Sequence, residues 1–330
     1  MSLSASQIQA LVDGSGYGAM FESYEQHPMV FPRLCEVVEI NPDPDLYGDK
    51  GSVIMAGEPF KERRDGQEIE ASSMGQAGTW YCRIGLYSRR LDIPRRLANR
   101  VDAVGKVESL IAAEARKWGE MARLQKDDFV AGMFQKGTLT AGSAKYFDGS
   151  FDDRSETDPN PKFIYDGLPW FDGAHTQYGG SSTFSNIATG NALTSANLQT
   201  GIITVGTTNA KDEQGNRVRI QPNTLVVPPN LEFTARTILE SVGLPGSAQN
   251  DANVTRGVAD LVVWHALTDD TDAWWLGEAG KGIRAYDSGA PIMEVGYDPL
   301  KKQFFVTAEY AFGAVVTNWR HWYSANKADS

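Results

Sequence analysis

The residues best suited to chemistry stand in one stretch, DGLPWFDGAH, Asp166 to His175, where two acids and a histidine sit among glycines and large aromatics. Asp172 and His175 are three positions apart. On one turn of helix that spacing would make them an acid/base couple or two ligands of a metal. Gly167, Pro169 and Gly173 work against such a turn, so the stretch reads as a turn-rich loop that could still hold chemistry. The remaining histidines, His27, His265 and His321, lie in no GxSxG, HExxH or GxGxxG pattern. Cys35 and Cys82 form neither a CxxC nor a Cys/His ligand set, which suits a reduced, cytoplasmic protein. The acidic run from Asp148 to Pro161 lacks the alternate acids, glycine and closing glutamate of a calcium loop. Asp269, Asp270 and Asp272 likewise read as solvated turns. No catalytic residue, cofactor or metal is therefore expected.

Aromatic residues leave one chemical reading standing. With 42 acids and 8 tryptophans, paired carboxylates lining a sugar groove would make a carbohydrate-active enzyme. Trp264, Trp274, Trp275, Trp319 and Trp322 could also stack bases, but only Arg320 is interleaved among them. Packing in the core or between subunits explains them with fewer assumptions.

Composition sets further bounds. The 330 residues are 41% hydrophobic, enough for a sizeable core, and no linker of uniform composition divides them. A net charge of −11 argues against a broad nucleic-acid-binding face, since such binding comes from displacing counterions with Lys and Arg. It does suit a wall that must release an enclosed polymer. No basic residue precedes Arg33 and no apolar run approaches a membrane span, so neither a secretory signal nor an anchor is expected. The sequon at Asn253 consequently carries little weight.

The elements that must position these residues follow from periodicity. Residues 1–34 lack a sustained period and read as an extended arm, with GSGYG at Gly14–Gly18 as a flexible hinge. Between Gly51 and Leu91 two strands flank the charged tip KERRDGQEIE, with Trp80, Cys82, Ile84 and Leu86 on one face of the return strand. A long hairpin of this kind is marginal alone and should rest on another subunit. Val104, Val107, Ile111, Ala115, Trp118 and Ala122 make one helical stripe, and a helix over about 101–136 would be about 50 Å long. Asp102 and Lys106 add an i,i+4 pair. Thr224–Val227 reads as a buried strand stopped by Pro228 and Pro229, followed by a helix capped by Asn230 and ended near Gly243. Phe304, Val306, Ala308, Tyr310 and Phe312 alternate in a long strand that breaks at Gly313 and resumes through NWRHWY.

This order of arm, charged hairpin, long helix, turn-rich lobe and closing strand resembles the major capsid proteins of tailed phages with the Hong Kong 97-type fold. DGLPWFDGAH, NALTSANL, NTLVVPPNLEFTARTIL, NVTRG before LVVWHAL, and AFGAVVTNWRHWY look most like the Mu-like major head subunit group. The resemblance covers the chain from about Trp80 onward. It implies an α+β fold with an N-terminal arm (1–38), an E-loop hairpin (39–86), a peripheral domain with a spine helix (87–149), an axial domain (150–290) and closing strands of the peripheral domain (291–330). DGLPWFDGAH then becomes a structural loop at the entry to the axial domain, with His175 as a turn or packing residue.

The implied function is self-assembly into pentamers and hexamers of an icosahedral shell around double-stranded DNA, without sequence-specific contact and without a membrane. Implied partners are a separate scaffold, a portal and cement or decoration proteins. The subunit would be assembled in the host bacterial cytoplasm and reside in the virion. Lys61, Glu62, Arg63, Arg64 and Asp65 at the E-loop tip are expected to pair with charges on an adjacent subunit. The same resemblance admits an encapsulin-like cellular shell, which neighbouring genes for a cargo enzyme rather than a portal and terminase would distinguish.

Overall fold

The computed structural model describes residues 3–41, 48–54, 76–99, 102–138, 168–176, 182–212, 215–243, 252–268 and 271–326. The α+β class expected from the sequence is the class observed. The stripe of apolar residues becomes one helix, Ala103–Gln135, which buries Val107, Ile111, Ala115, Trp118 and Ala122 and leaves Val104 exposed. Its 33 residues span about 50 Å. The Asp102–Lys106 ion pair forms at 2.7 Å.

A five-stranded sheet packs against this long helix. At its centre is the strand Gln303–Val316, fourteen residues long. Strand Gly85–Ile93 pairs along one edge of it. Ile283–Asp287 and Ile292–Asp298 follow one another along the other edge, and Glu36–Glu39 joins Ile283–Asp287 in parallel. The expected break at Gly313 does not occur. A β-carbon at Gly313 would lie 2.5 Å from the Arg83 carbonyl oxygen, so this glycine marks a close approach of two backbones rather than a strand end.

The N-terminal segment corrects the reading of an extended arm. Ala5–Leu11 and Tyr17–Gln26 are α-helices joined by a π-turn, Val12–Gly16. Ser4 caps the first of them in a reciprocal box with Gln7. Leu3, Ile8, Val12 and Met20 pack with Val107, Ile111, Ala115 and Trp118 of the same chain, so the apolar residues are stabilised at home. GSGYG is no hinge here: a β-carbon at Gly16 would come within 3.1 Å of Ile111, and one at Gly119 within 2.4 Å of the Met20 carbonyl oxygen. Small residues at both positions let the two helices approach closely.

Strands Gly48–Ile54 and Gln76–Arg83 form the base of the expected hairpin, with a register shift between Val53 and Ile54. Trp80, Cys82 and Ile84 share a buried cluster with Tyr286, Ala311 and Val315, while Leu86 is 49% exposed. The strand is interrupted at Ile84, and this exchanges the faces presented by Gln76–Arg83 and Gly85–Ile93. That is why the alternation expected to include Leu86 stops short of it.

The second sheet has the order Ile187–Ala188, Trp322–Ala325, Trp274–Gly277, Thr224–Val227, Asp260–Val263. Thr224–Val227 is buried throughout, as its apolar run requires. Asn230 does not cap the following helix; it lies in a 3-10 turn, Pro229–Leu231, and the helix Glu232–Glu240 starts at Leu231 without a side-chain cap. Trp322–Ala325 lies inside this second sheet, between Ile187–Ala188 and Trp274–Gly277, so the strands of residues 291–330 divide between the two sheets. Ile283–Asp287, expected with residues 150–290 in the second unit, belongs to the first sheet.

Candidate functional site

The stretch that opened the chemical question is a packing loop. Of it, Leu168 to His175 lie among the described residues, and Asp166 and Gly167 lie outside them. Trp170 and Phe171 are buried and stacked at 4.4 Å between centroids. His175 is fully buried, lying 4.1 Å from the Trp319 ring at an interplanar angle of 9°. Its Nε2 is 3.2 Å from the Trp170 carbonyl oxygen. Asp172 uses one carboxylate oxygen to accept from the Ala174 N–H at 2.7 Å, closing a local turn. Asn186 holds the loop from below, accepting from the Asp172 N–H at 2.9 Å and donating to the Trp170 carbonyl at 2.7 Å. Asp172 and His175 are therefore engaged separately. Among the described residues no group of three or more His, Cys, Asp or Glu could hold a metal.

The tryptophans converge on the end of the long helix. Phe134 meets Trp170, Trp264, Trp275 and Trp322 in edge-on contacts with centroids 4.7, 5.7, 5.9 and 5.0 Å away. All four tryptophans are fully buried, which disposes of a stacking platform open to bases or sugars. Edge-to-face contacts of this kind add about 0.5–1.5 kcal/mol per pair beyond area burial.

Eight residues earlier the same helix carries a polar junction. Lys126 is fully buried, and its ammonium donates to Asp287 at 2.5 Å, to the Gly289 carbonyl at 2.6 Å and to the Tyr24 hydroxyl at 3.1 Å. The rings of Tyr24 and Tyr310 lie 5.2 and 4.9 Å from it. Burial lowers the Lys126 pKa, with Asp287 opposing the shift, and burial raises the Tyr24 hydroxyl to about 12. Asp127 faces other partners. One carboxylate oxygen accepts from Val30 and Phe31 N–H at 2.8 and 3.0 Å, and the other from the Trp264 indole at 2.6 Å. Two adjacent residues thus fasten the N-terminal helices, the first sheet and the second sheet to one helix.

Sequence reasoning missed this junction, although one signal was available. Counting four on from Ala122 along the apolar stripe lands on Lys126, a charge where the period demands a hydrophobe. Cys35 and Cys82 are both buried, and burial pushes both thiols well above their ordinary range. The amide of Asn253 donates to Ile238 and Ser241 carbonyls from a buried position. Lys61, Glu62, Arg63, Arg64 and Asp65 lie outside the described residues, while the strands leading to them are described.

The sequence profile of the family described as "Phage capsid protein" matches residues 87–325. No curated protein sequence matches. Among solved structures, the capsid of the cyanophage P-SCSP1u is similar at 13% identity over 92% of this chain and 89% of that one, with a TM-score of 0.49. The procapsid of bacteriophage JBD30 is similar at 11% identity over 99% and 77%, TM-score 0.45. A virus-like particle from Pyrococcus furiosus is similar at 8% identity over 94% and 98%, TM-score 0.46.

Proposed function

Since the chain belongs to the phage capsid protein family, we propose that it is the major head subunit of a tailed phage, self-assembling as pentamers and hexamers into an icosahedral shell around double-stranded DNA. The match of the family over residues 87–325 carries this reading. On the phrases quoted above we place it in the Mu-like major head subunit group. Scaffold, portal and cement or decoration proteins are its proposed partners, the host bacterial cytoplasm its place of assembly, and the virion its destination. Its role is structural rather than catalytic.

In this reading the long helix is the spine of the peripheral domain, the first sheet is that domain's body, and the second sheet is the axial domain. Residues 39–86 act as the E-loop. The two strands at its base are held by Trp80, Cys82 and Ile84, and its charged tip, Lys61 to Asp65, pairs with an adjacent subunit. Such exposed pairs are each worth only about 0–1 kcal/mol, but they repeat in every copy. The part of the arm that crosses to neighbours is shorter than 1–38, because residues 3–34 lie on their own helix.

Electron microscopy of the expressed chain tests the reading. Arg63→Glu with Arg64→Glu should leave the subunit's melting temperature unchanged while closed particles fall at least tenfold. Normal particles from that variant would remove the tip from the interface. A wild-type chain that stays a monomer and cleaves glycosides would remove the capsid reading altogether.

A further inference from the structure

Two oppositely charged, partly apolar patches lie at opposite ends of the first sheet. The first is basic. Ile93 pairs with Phe304 and Asp298 with Gln303, so the segment after Ile93 and the turn before Gln303 leave the sheet side by side. Arg95, Arg96, Lys301 and Lys302 are all exposed there, beside Leu300 at 94% and Tyr297 at 49% exposure. The acids nearby are already engaged. Asp92 and Asp298 take Arg90 at 2.6 and 3.5 Å, and Asp298 also accepts from the Leu300 and Lys301 N–H groups. No carboxylate among the described residues pairs with Arg95, Arg96, Lys301 or Lys302. Asp298 also attracts Lys301, so in a chain of net charge −11 this end of the sheet keeps more exposed cations than acids.

The second patch is acidic on its own helix, with one cation at its end, Arg123 of the long helix, which donates to the Glu25 and His27 carbonyls. The N-terminal helices carry no Lys or Arg before Arg33. On the exposed face of Tyr17–Gln26, Phe21, Glu22 and Glu25 recur at helical spacing, Phe21 being 46% exposed. This helix runs away from the basic turn: Tyr17 bonds to Met293, while Tyr24 lies at Lys126, whose ammonium holds Asp287 and Gly289. From Gly289 to Asp298 is nine residues, on the order of 30 Å at the rise of a strand. One copy cannot bring its own two patches together.

We infer that the basic turn of one copy docks on the Phe21, Glu22 and Glu25 face of a second copy, head to tail. The contact is heterologous, so it repeats around a ring instead of ending at a dimer. Leu300 and Tyr297 meet Phe21, and the four cations meet the two carboxylates. The apolar side chains at the centre favour a protein partner over a nucleic-acid backbone, which would be met by charge alone. This inference rests on the proposed self-assembly and names one of its contacts.

Charge reversal in the full-length chain tests it. Arg95→Glu, Arg96→Glu, Lys301→Glu and Lys302→Glu together, or Glu22→Lys and Glu25→Lys together, should each cut particle yield at least tenfold with the melting temperature held. Both sets combined in one chain should return the yield to within about threefold of wild type, because complementarity is restored with reversed sign. If the fourfold variant does not fold, Arg96→Gln with Lys302→Gln is read in its place and should cut the yield at least threefold. Particles at wild-type yield from either single set, or no recovery in the combination, would overturn the contact. So would a basic-end variant that still forms shells but loses binding to a DNA duplex, since the turn would then be a nucleic-acid contact. A wild-type chain that never forms particles sinks the assembly reading itself, and this contact with it.

Discussion

Lys126 and Phe134 lie on one helix, yet they attach it to the rest of the molecule by opposite means. Around Lys126 and Asp127 the contacts are few, short and directional, and each partner is named by geometry: Tyr24, Asp287, Gly289, Val30, Phe31 and Trp264. Around Phe134 they are apolar and diffuse, four indole edges meeting one ring. The difference teaches where register comes from. A buried charge tolerates only one arrangement, because any other leaves it unpaired. An aromatic cluster contributes area and tolerates a change of shape, so it holds the second sheet firmly without fixing its setting so narrowly.

The largest test of this contrast is at the polar end. Lys126→Ala should destabilise the subunit by about 3–5 kcal/mol, because Asp287 is left without its cation. Lys126→Met combined with Asp287→Leu should cost less than half of that, since both charges leave together. Denaturant midpoints of the three proteins decide the matter, and a double variant no more stable than the single one would break the contrast. At the apolar end Phe134→Leu gives up four edge-on contacts and should cost about 2–3 kcal/mol while keeping a cooperative transition. A loss as large as that of Lys126→Ala would mean the ring is as exacting as the charge.

The smallest effect sharpens the comparison by moving it to the second sheet. His321 Nδ1 lies 3.1 Å from Glu278, and burial holds the imidazole below its ordinary pKa of 6.5, with Glu278 offsetting part of the shift. As the pH falls below 6.5 the unfolded chain takes up this proton before the folded one. The stabilisation is therefore full above about pH 6.5 and declines toward the lowered folded value. His321→Gln should flatten the melting temperature over that interval. An unchanged slope would show that this pair, unlike Lys126 and Asp287, sets nothing.

How much of this was legible depends on the range of the contacts. The long helix could be read because its stripe is local, with each apolar residue three or four from the next. The N-terminal helices could not, because Gly14, Gly16 and Gly18 break the period that Leu3, Ile8, Val12 and Met20 carry. Of these only Gly16 serves close packing, against Ile111, a partner 95 positions away in sequence. Gly313 misled for the same reason, its neighbour being the Arg83 backbone. Trp322–Ala325 reads as a strand from its own residues, but which sheet it joins is decided by Trp274–Gly277, far upstream. The glycines and proline around His175 speak against a helical pair with Asp172 but leave a loop site open, and it is the resemblance that sets His175 aside, whereas its stacking on Trp319 appears only in three dimensions.

Both native thiols are sealed inside the fold and held in the unreactive, protonated form. A maleimide added to the intact subunit would find nothing to attack. One serine or asparagine exchanged for cysteine on the surface would then become the sole point of conjugation. Any dye, spin probe or foreign peptide attached through it would sit at a single known address in every copy.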